Sequence, residues 1–270
     1  MIPAMTVTGI PAFSDNYLWL IEAAGRAVLV DPGDAGPVQA MLDARGLRLE
    51  AILLTHHHPD HIGGVDALLE RGPVPVYGPL AESALIPAID HPLDDGDRVE
   101  LAAMGLELEV MSVPGHTLGH IAYYQPPRGQ THGLLFCGDT LFIGGCGKLF
   151  EGTPSQMYGS LCRLAELAPD TLVYCAHEYS FTNFCFAAAV EPGNVRVAAE
   201  LARLRGLREA GLPTVPGTIA AERALNPFLR CTEPGIRLAL ERHSKEMLTG
   251  AEEVFAALRR WKDEFRMPVG

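Results

Sequence analysis

The feature that most constrains this chain is the motif THHHPDH at residues 55–61, which follows the apolar run AILL. A short continuous apolar run is typical of a β-strand that is covered on both faces. If extended geometry continues past the run, alternate side chains point to opposite sides. His56 and His58 would then face the same point, and His57 would face away from it.

The second half of the motif predicts a turn. Pro59 cannot continue a strand but suits the first turn of a helix. A helix that begins there would bring Asp60 and His61 back beside the first two histidines. Histidines and a carboxylate gathered at one strand end indicate a metal site, although a lone histidine is usually a surface or hydrogen-bonded residue.

Three further apolar runs end in a residue that can bind a metal. His116 follows LEVMSV, Asp139 follows LLFCG and His177 follows LVYCA. Open α/β sheets place their sites at the carboxyl ends of their strands, so we expect these residues to converge on the histidine motif.

The candidate ligands divide between two divalent cations: His56, His58 and His116 for one, Asp60, His61 and His177 for the other, with Asp139 bridging both. This donor set suits Zn²⁺, and also Fe²⁺ or Mn²⁺. Asp31 ends the run RAVLV and could orient a ligating histidine, or could simply cap the loop. The spacing predicts that His120 supports a ligand or has a structural role, and is not itself a ligand.

Composition excludes several classes of function. Residues 1–195 carry 8 Lys and Arg against 23 Asp and Glu, whereas residues 196–270 carry 13 against 10. The excess of acidic residues in 1–195 argues against nucleic acid as a partner, because nucleic-acid binding depends on neutralising phosphates. With no run of roughly 18 apolar residues and no signal-peptide pattern, no membrane association is expected and the predicted location is the cytoplasm. No apolar helix seam is left over, which favours a monomer.

The order of the predicted elements indicates an α/β fold. Strand-like runs alternate with turns and helices up to about residue 180, after which helical patterns such as 194–211 and 251–265 dominate. We therefore predict two domains, an α/β domain over residues 1–177 and a helical domain over residues 178–270. The connection LPTVPGT is expected to run over the surface.

T-H-x-H-x-D-H, followed by G-H-T, G-D-T and a final histidine, resembles the metallo-β-lactamase superfamily across residues 5–180. Within it the chain is similar to the glyoxalase II (hydroxyacylglutathione hydrolase) family, through the motifs DNYLWLI, CGDTLFIGGCGKLFEGT, CAHEY, EPGN and RRWKDEFRMP. The resemblance implies a four-layer αββα sandwich that carries a dinuclear site. It also implies a C-terminal helical domain that helps to hold glutathione.

The resemblance places substrate contacts at Lys148, Tyr179, Arg259 and Lys262. Phe150 stands where the family usually has a tyrosine, so a ring is kept but a hydroxyl is lost. Fixed cations are a plausible way to hold the two carboxylates of glutathione. Without the resemblance, the basic residues of the last helix would be interpreted as a solvated helix face.

The implied reaction is hydrolysis of S-D-lactoylglutathione to glutathione and D-lactate, the second step of methylglyoxal detoxification. Two bound metals lower the pKa of water from about 15.7 to about 7, so the expected nucleophile is hydroxide between them. Asp60 would hold or accept the proton of that water, and Asp139 would bridge the metals.

Three other interpretations stay open at this point. An iron-dependent persulfide dioxygenase of the same superfamily would need one metal and few of the second set of ligands. A nuclease or a lactonase would not explain Lys148 or the basic last helix. A non-catalytic metal-binding protein is disfavoured by the bridging Asp139 and by a position left open for water, because structural zinc sites are closed by four protein ligands.

Overall fold

The computed structural model describes residues 5–129 and 131–267, so the outer limits of the two predicted domains, at residues 1 and 270, lie outside the described residues. The strands are β1 (Thr6–Ala12), β2 (Asn16–Ala23), β3 (Arg26–Val30), β4 (Arg48–Leu53), β5 (Val76–Pro79), β6 (His91–Leu93), β7 (Arg98–Leu101), β8 (Leu106–Ser112), β9 (Ile121–Gln125), β10 (Leu134–Gly138), β11 (Leu141–Phe142), β12 (Gly145–Cys146), β13 (Leu172–Cys175) and β14 (Gly217–Thr218). The helices are α1 (Ala35–Arg45), α2 (Pro59–Ile62), α3 (Val65–Leu69), α4 (Pro154–Ala165), α5 (Ser180–Val190), α6 (Val195–Glu209), α7 (Ile219–Leu225), α8 (Pro234–Ser244) and α9 (Ala251–Glu264).

Two mixed sheets pack face to face. The first has the strand order β1-β2-β3-β4-β5-β6, and the second has the order β14-β13-β10-β9-β8-β7. In β2, Trp19 and Ile21 face the core between the sheets, whereas Leu18 and Leu20 face an outer core beneath α1 and α3. Because both faces of the first sheet are covered at its centre, β2, β3 and β4 contain the continuous apolar runs YLWLI, AVLV and AIL. The predicted αββα layering is confirmed.

The directions of the strands bring the candidate ligands together. In the second sheet β8 and β10 both run antiparallel to β9, and β13 runs parallel to β10. The carboxyl ends of β8, β10 and β13 therefore lie at one edge of the second sheet. Residues that follow these strands meet those that follow β4 of the first sheet.

Within residues 178–267, the regular elements are helices apart from the short strand β14. These helices share a continuous core with the sandwich, since Phe184, Phe228 and Phe255 belong to the same apolar cluster as Tyr123 and Leu135. Helix α9 packs against α4. The division after residue 177 stays a prediction. Among the described residues, no helix combines the length and the apolar composition needed to cross a membrane.

Of two predictions made from local sequence, the end of α1 is confirmed and the surface position of LPTVPGT is not. Gly46 ends α1 as predicted, with a left-handed φ of 60°. The expectation that LPTVPGT runs over the surface is wrong at its centre, because Thr214 and Val215 are buried. The backbone N–H of Thr214 donates to Glu178, and the residues that follow pair with β13.

Candidate metal centre

Three histidines surround one point at the sheet edge. His56 and His58 lie in the turn after β4, and His116 lies in the loop after β8. The Nδ1 atom of His58 is 3.0 Å from Nε2 of His56 and 2.9 Å from Nε2 of His116. We call these residues the first donor set.

A second donor set consists of Asp60, His61 and His177. Helix α2 begins at Pro59, as the sequence predicts, and carries the first two of these residues. Oδ2 of Asp60 lies 3.6 Å from Nε2 of His61 and 3.5 Å from Nε2 of His177. The ligand atoms of this set therefore also face one point.

Asp139 lies between the two sets. Its Oδ1 is 3.3 Å from Nε2 of His177 and 3.5 Å from Nε2 of His61, whereas its Oδ2 is 3.4 Å from Nε2 of His116. One carboxylate thus directs one oxygen towards each donor set.

The donor atoms fit divalent cations. Ligands held about 2.0–2.1 Å from a tetrahedral Zn²⁺ stand roughly 3.4 Å apart, close to the separations in the second donor set. Nε2 of His61 and Oδ1 of Asp139 are buried and have no hydrogen-bond partner among the described residues. Buried polar atoms are rarely left without a partner, and a cation between these two would supply one.

In His61, His116 and His177, the Nδ1 atom of the ring is held by a hydrogen bond. Nδ1 of His61 lies 3.0 Å from Oδ2 of Asp31, and Nδ1 of His177 lies 2.8 Å from Oδ1 of Asp15. Nδ1 of His116 is 2.8 Å from the carbonyl oxygen of Lys148. Each contact fixes a ring and leaves its Nε2 directed at the centre, as in protein metal sites.

Asp15 and Asn16 are supporting residues to which sequence reasoning assigned no role. The side-chain amide of Asn16 donates to Oδ2 of Asp60 over 2.9 Å. Both residues lie at the start of β2, which is antiparallel to β3, so they reach the edge at which β3 ends. A search confined to strand ends misses them, although they belong to the motif DNYLWLI.

Two neighbouring histidines lie outside the donor sets. His57 faces away from the donors, with its Nδ1 2.9 Å from Oε2 of Glu82. His120 stacks on His56 with ring centroids 4.5 Å apart, and its Nε2 accepts a hydrogen bond from the backbone N–H of Asp139. His120 therefore supports the ligand loop.

Burial and charge act in opposite directions on these groups. Burial lowers the pKa of His56 and of His116, which favours the neutral imidazole that binds a metal. Burial also acts to lower the pKa of His61, but the carboxylates of Asp139 and Asp31 outweigh it and raise that pKa to about 9. A cation that enters the second donor set must therefore displace a proton from His61 at neutral pH.

Three predicted substrate contacts lie beside the donor sets. The exposed ring of Phe150 is 5.4 Å from the ring of His58, and Nζ of Lys148 lies 5.3 Å from the centroid of Phe150. The ring of Tyr179 stacks on His177 at 4.8 Å. Lys148 and Phe150 are exposed beside the first donor set, and Tyr179 lies beside the second.

Arg259 and Lys262 lie on α9 and contact β12 and α5, respectively. Arg259 is 7% exposed, and its guanidinium donates to the carbonyl oxygen of Cys146 and to Asp263. Nζ of Lys262 donates to the carbonyl oxygen of Thr182, and burial lowers its pKa to about 8. In this structure both cations bind the chain itself, and their substrate contacts stay predictions.

Two family models match the chain, the metallo-beta-lactamase superfamily over residues 13–177 and the hydroxyacylglutathione hydrolase C-terminus over residues 178–265. The hydroxyacylglutathione hydrolase of Alkalilimnicola ehrlichii is 53% identical over 260 residues, which cover 96% of this chain and 98% of the relative. That of Aeromonas salmonicida is 51% identical and covers 96% and 99%. The crystal structure of TTHA1623 in a di-iron-bound form is 29% identical with a TM-score of 0.56, and covers 83% of this chain and 100% of that one.

Proposed function

This chain belongs to the hydroxyacylglutathione hydrolase family of the metallo-β-lactamase superfamily, and from that premise we propose that it hydrolyses S-D-lactoylglutathione to glutathione and D-lactate. The observation that carries the proposal is the position of Asp139. Its two oxygens lie 3.4 Å from Nε2 of His116 and 3.3 Å from Nε2 of His177, between two groups of ligand atoms. A site for a single metal would need only one of these groups.

Two divalent cations bound there would supply a water activated at neutral pH and would polarise the thioester carbonyl. The side chain of Asp60 is 39% exposed, so its carboxylate can reach a water at the centre and accept its proton. Asn16 fixes the orientation of that carboxylate. The departing thiol has a pKa of about 8.5, so the thiolate leaves without a general acid.

Substrate binding would use the exposed surface beside the first donor set. Lys148 is exposed there and can pair with a carboxylate of glutathione, while Phe150 offers an apolar face. Tyr179 lies against His177 on the side of the second donor set. Arg259 and Lys262 complete the proposed contacts only if α9 releases them from Cys146 and Thr182.

The proposed cations are two Zn²⁺ ions per chain. Histidine nitrogens and carboxylate oxygens also suit iron, and TTHA1623 has a di-iron-bound form. We further propose a monomer that acts in the cytoplasm. Metal analysis of the purified protein and sedimentation would test the first two of these points.

The deciding experiment follows loss of the thioester absorbance of S-D-lactoylglutathione, with metal analysis of the same sample. Turnover should disappear after chelation and return with added Zn²⁺. A matched assay of oxygen consumption with glutathione persulfide tests the dioxygenase alternative. Metal-loaded protein that hydrolyses no glutathione thioester would contradict the proposal.

A further inference from the structure

His57, the histidine that faces away from the metal donors, lies between two carboxylates. Its Nδ1 is 2.9 Å from Oε2 of Glu82, and its Nε2 is 3.3 Å from Oε1 of Glu151. The side chain of Glu82 is 3% exposed and that of Glu151 is 35% exposed. We refer to this arrangement as the Glu82–His57–Glu151 bridge.

Both carboxylates of the bridge also hold the segment that follows the ligand His116. Oε1 of Glu82 accepts hydrogen bonds from the hydroxyl of Thr117 and from the backbone N–H of Gly119. Oε2 of Glu151 accepts from the backbone N–H of Leu118 over 2.8 Å. The approach of Glu82 requires glycine at position 119, because a Cβ there would lie 2.5 Å from Cγ of Glu82.

The bridge also reaches the loop that carries the proposed substrate contacts. Glu151 directly follows Phe150, and the backbone N–H groups of both residues donate to the carbonyl oxygen of His116. The ring of Phe150 stands 5.2 Å from the ring of His116. Movement of Glu151 would therefore displace Phe150, and with it the ammonium of Lys148 that lies over its ring.

We propose that His57 is a positioning residue for thioester hydrolysis, which holds the 148–151 loop against the first donor set through Glu151. The predicted effect of His57 on substrate binding rests on the proposed function. The predicted effect of His57 on the position of the 148–151 loop does not. His56 has a contact of its own outside the donor set, since its Nδ1 lies 3.0 Å from the hydroxyl oxygen of Thr55, and His58 directs its Nδ1 at Nε2 of His116. Each carboxylate holds the segment after His116 with the oxygen that His57 does not contact, so loss of His57 should act on substrate binding and not on metal binding.

The test compares His57→Ala, His57→Gln and a matched control, His132→Ala, which removes an exposed histidine whose Nδ1 lies 3.4 Å from Oδ2 of Asp170. His57→Ala should raise the KM for S-D-lactoylglutathione about tenfold with metal content unchanged, because contacts to a charged group are lost. His57→Gln, which can still donate to a carboxylate, should recover part of that loss. The control should match the wild type.

Amide hydrogen exchange separates the inference from the proposed function. Exchange at residues 148–151 should accelerate in His57→Ala, and exchange at residues 55–61 should not. That measurement needs no substrate, so an inactive wild type would contradict the proposed function while leaving the bridge testable. Unchanged exchange at residues 148–151, or loss of metal together with an unchanged KM, would overturn the inference.

Discussion

Oδ2 of Asp31 lies 3.0 Å from Nδ1 of His61, and both side chains are buried. The same carboxylate accepts hydrogen bonds from the backbone N–H and the hydroxyl of Thr55, at 2.8 and 2.7 Å. Asp31 has a φ of 52°, in the left-handed region that residues with a Cβ adopt at a cost of about 1 kcal/mol or more. The contact fixes the ring of His61 with its Nε2 directed at Asp139.

Asp31→Asn should weaken metal binding at the second donor set about 10- to 100-fold, because the supporting carboxylate of a ligating histidine is lost. The first donor set should keep its metal. Competition with a chelator would measure both affinities. The matched control is Asp34→Asn. Asp34 lies in the same loop, but its side chain caps α1 by accepting a hydrogen bond from the backbone N–H of Gly36. Equal loss of both metals would contradict the assignment of Asp31 to one set.

Asp139→Ala should remove metal from both donor sets, because each set loses one oxygen of the same carboxylate. His58→Ala should remove metal from the first donor set, because it deletes one of the ligands of that set. Thioesterase activity should fall at least about a thousandfold in both variants, since an unbound water keeps a pKa near 15.7. Elemental analysis would measure the loss of metal, and the hydrolysis assay would measure the loss of activity in the same samples. Full turnover by either variant would rule out the dinuclear site.

Lys148→Ala should raise the KM for glutathione thioesters about tenfold and leave kcat nearly unchanged, since an ion pair with a substrate carboxylate acts in binding. Steady-state kinetics with S-D-lactoylglutathione would separate the two constants. Lys245→Asn is the matched control: it removes a cation at a residue with a φ of 60°, which asparagine tolerates. An unchanged KM would assign Lys148 a structural role instead.

Glu222 should make the free energy of unfolding depend on pH. Its buried carboxyl accepts hydrogen bonds from Gly144 N–H and the Asn226 amide, and burial raises its pKa from 4.5 to about 7. The folded protein therefore holds a proton that the unfolded chain releases. The stabilisation is complete below about pH 4.5 and falls by roughly 3 kcal/mol as the pH rises through 7.

Glu222→Gln should remove this contribution, because an amide does not titrate. Urea unfolding at pH 5 and at pH 8 would measure the difference for both proteins. Glu246→Gln, at an exposed position, serves as the control and should retain the wild-type pH dependence. A Glu222→Gln protein with the same pH dependence as the wild type would assign that dependence to other groups.

The sequence by itself determined the strands that end in potential ligands and the alternation that separates His57 from His56 and His58. These features are local, because side-chain direction in extended chain follows from sequence position. Pro59 likewise predicted the start of α2. The candidate ligand residues could therefore be named from the sequence, before the fold was known.

Only the tertiary structure decided what each of those residues touches. Asp15 meets His177 across 162 positions of sequence, because the antiparallel start of β2 reaches the same edge as the end of β13. Arg259, basic and on a charged helix, is buried because α9 packs over β12, which contains Cys146. Such contacts depend on which loops and helices pack together, and packing between distant segments leaves no periodic pattern in the chain itself.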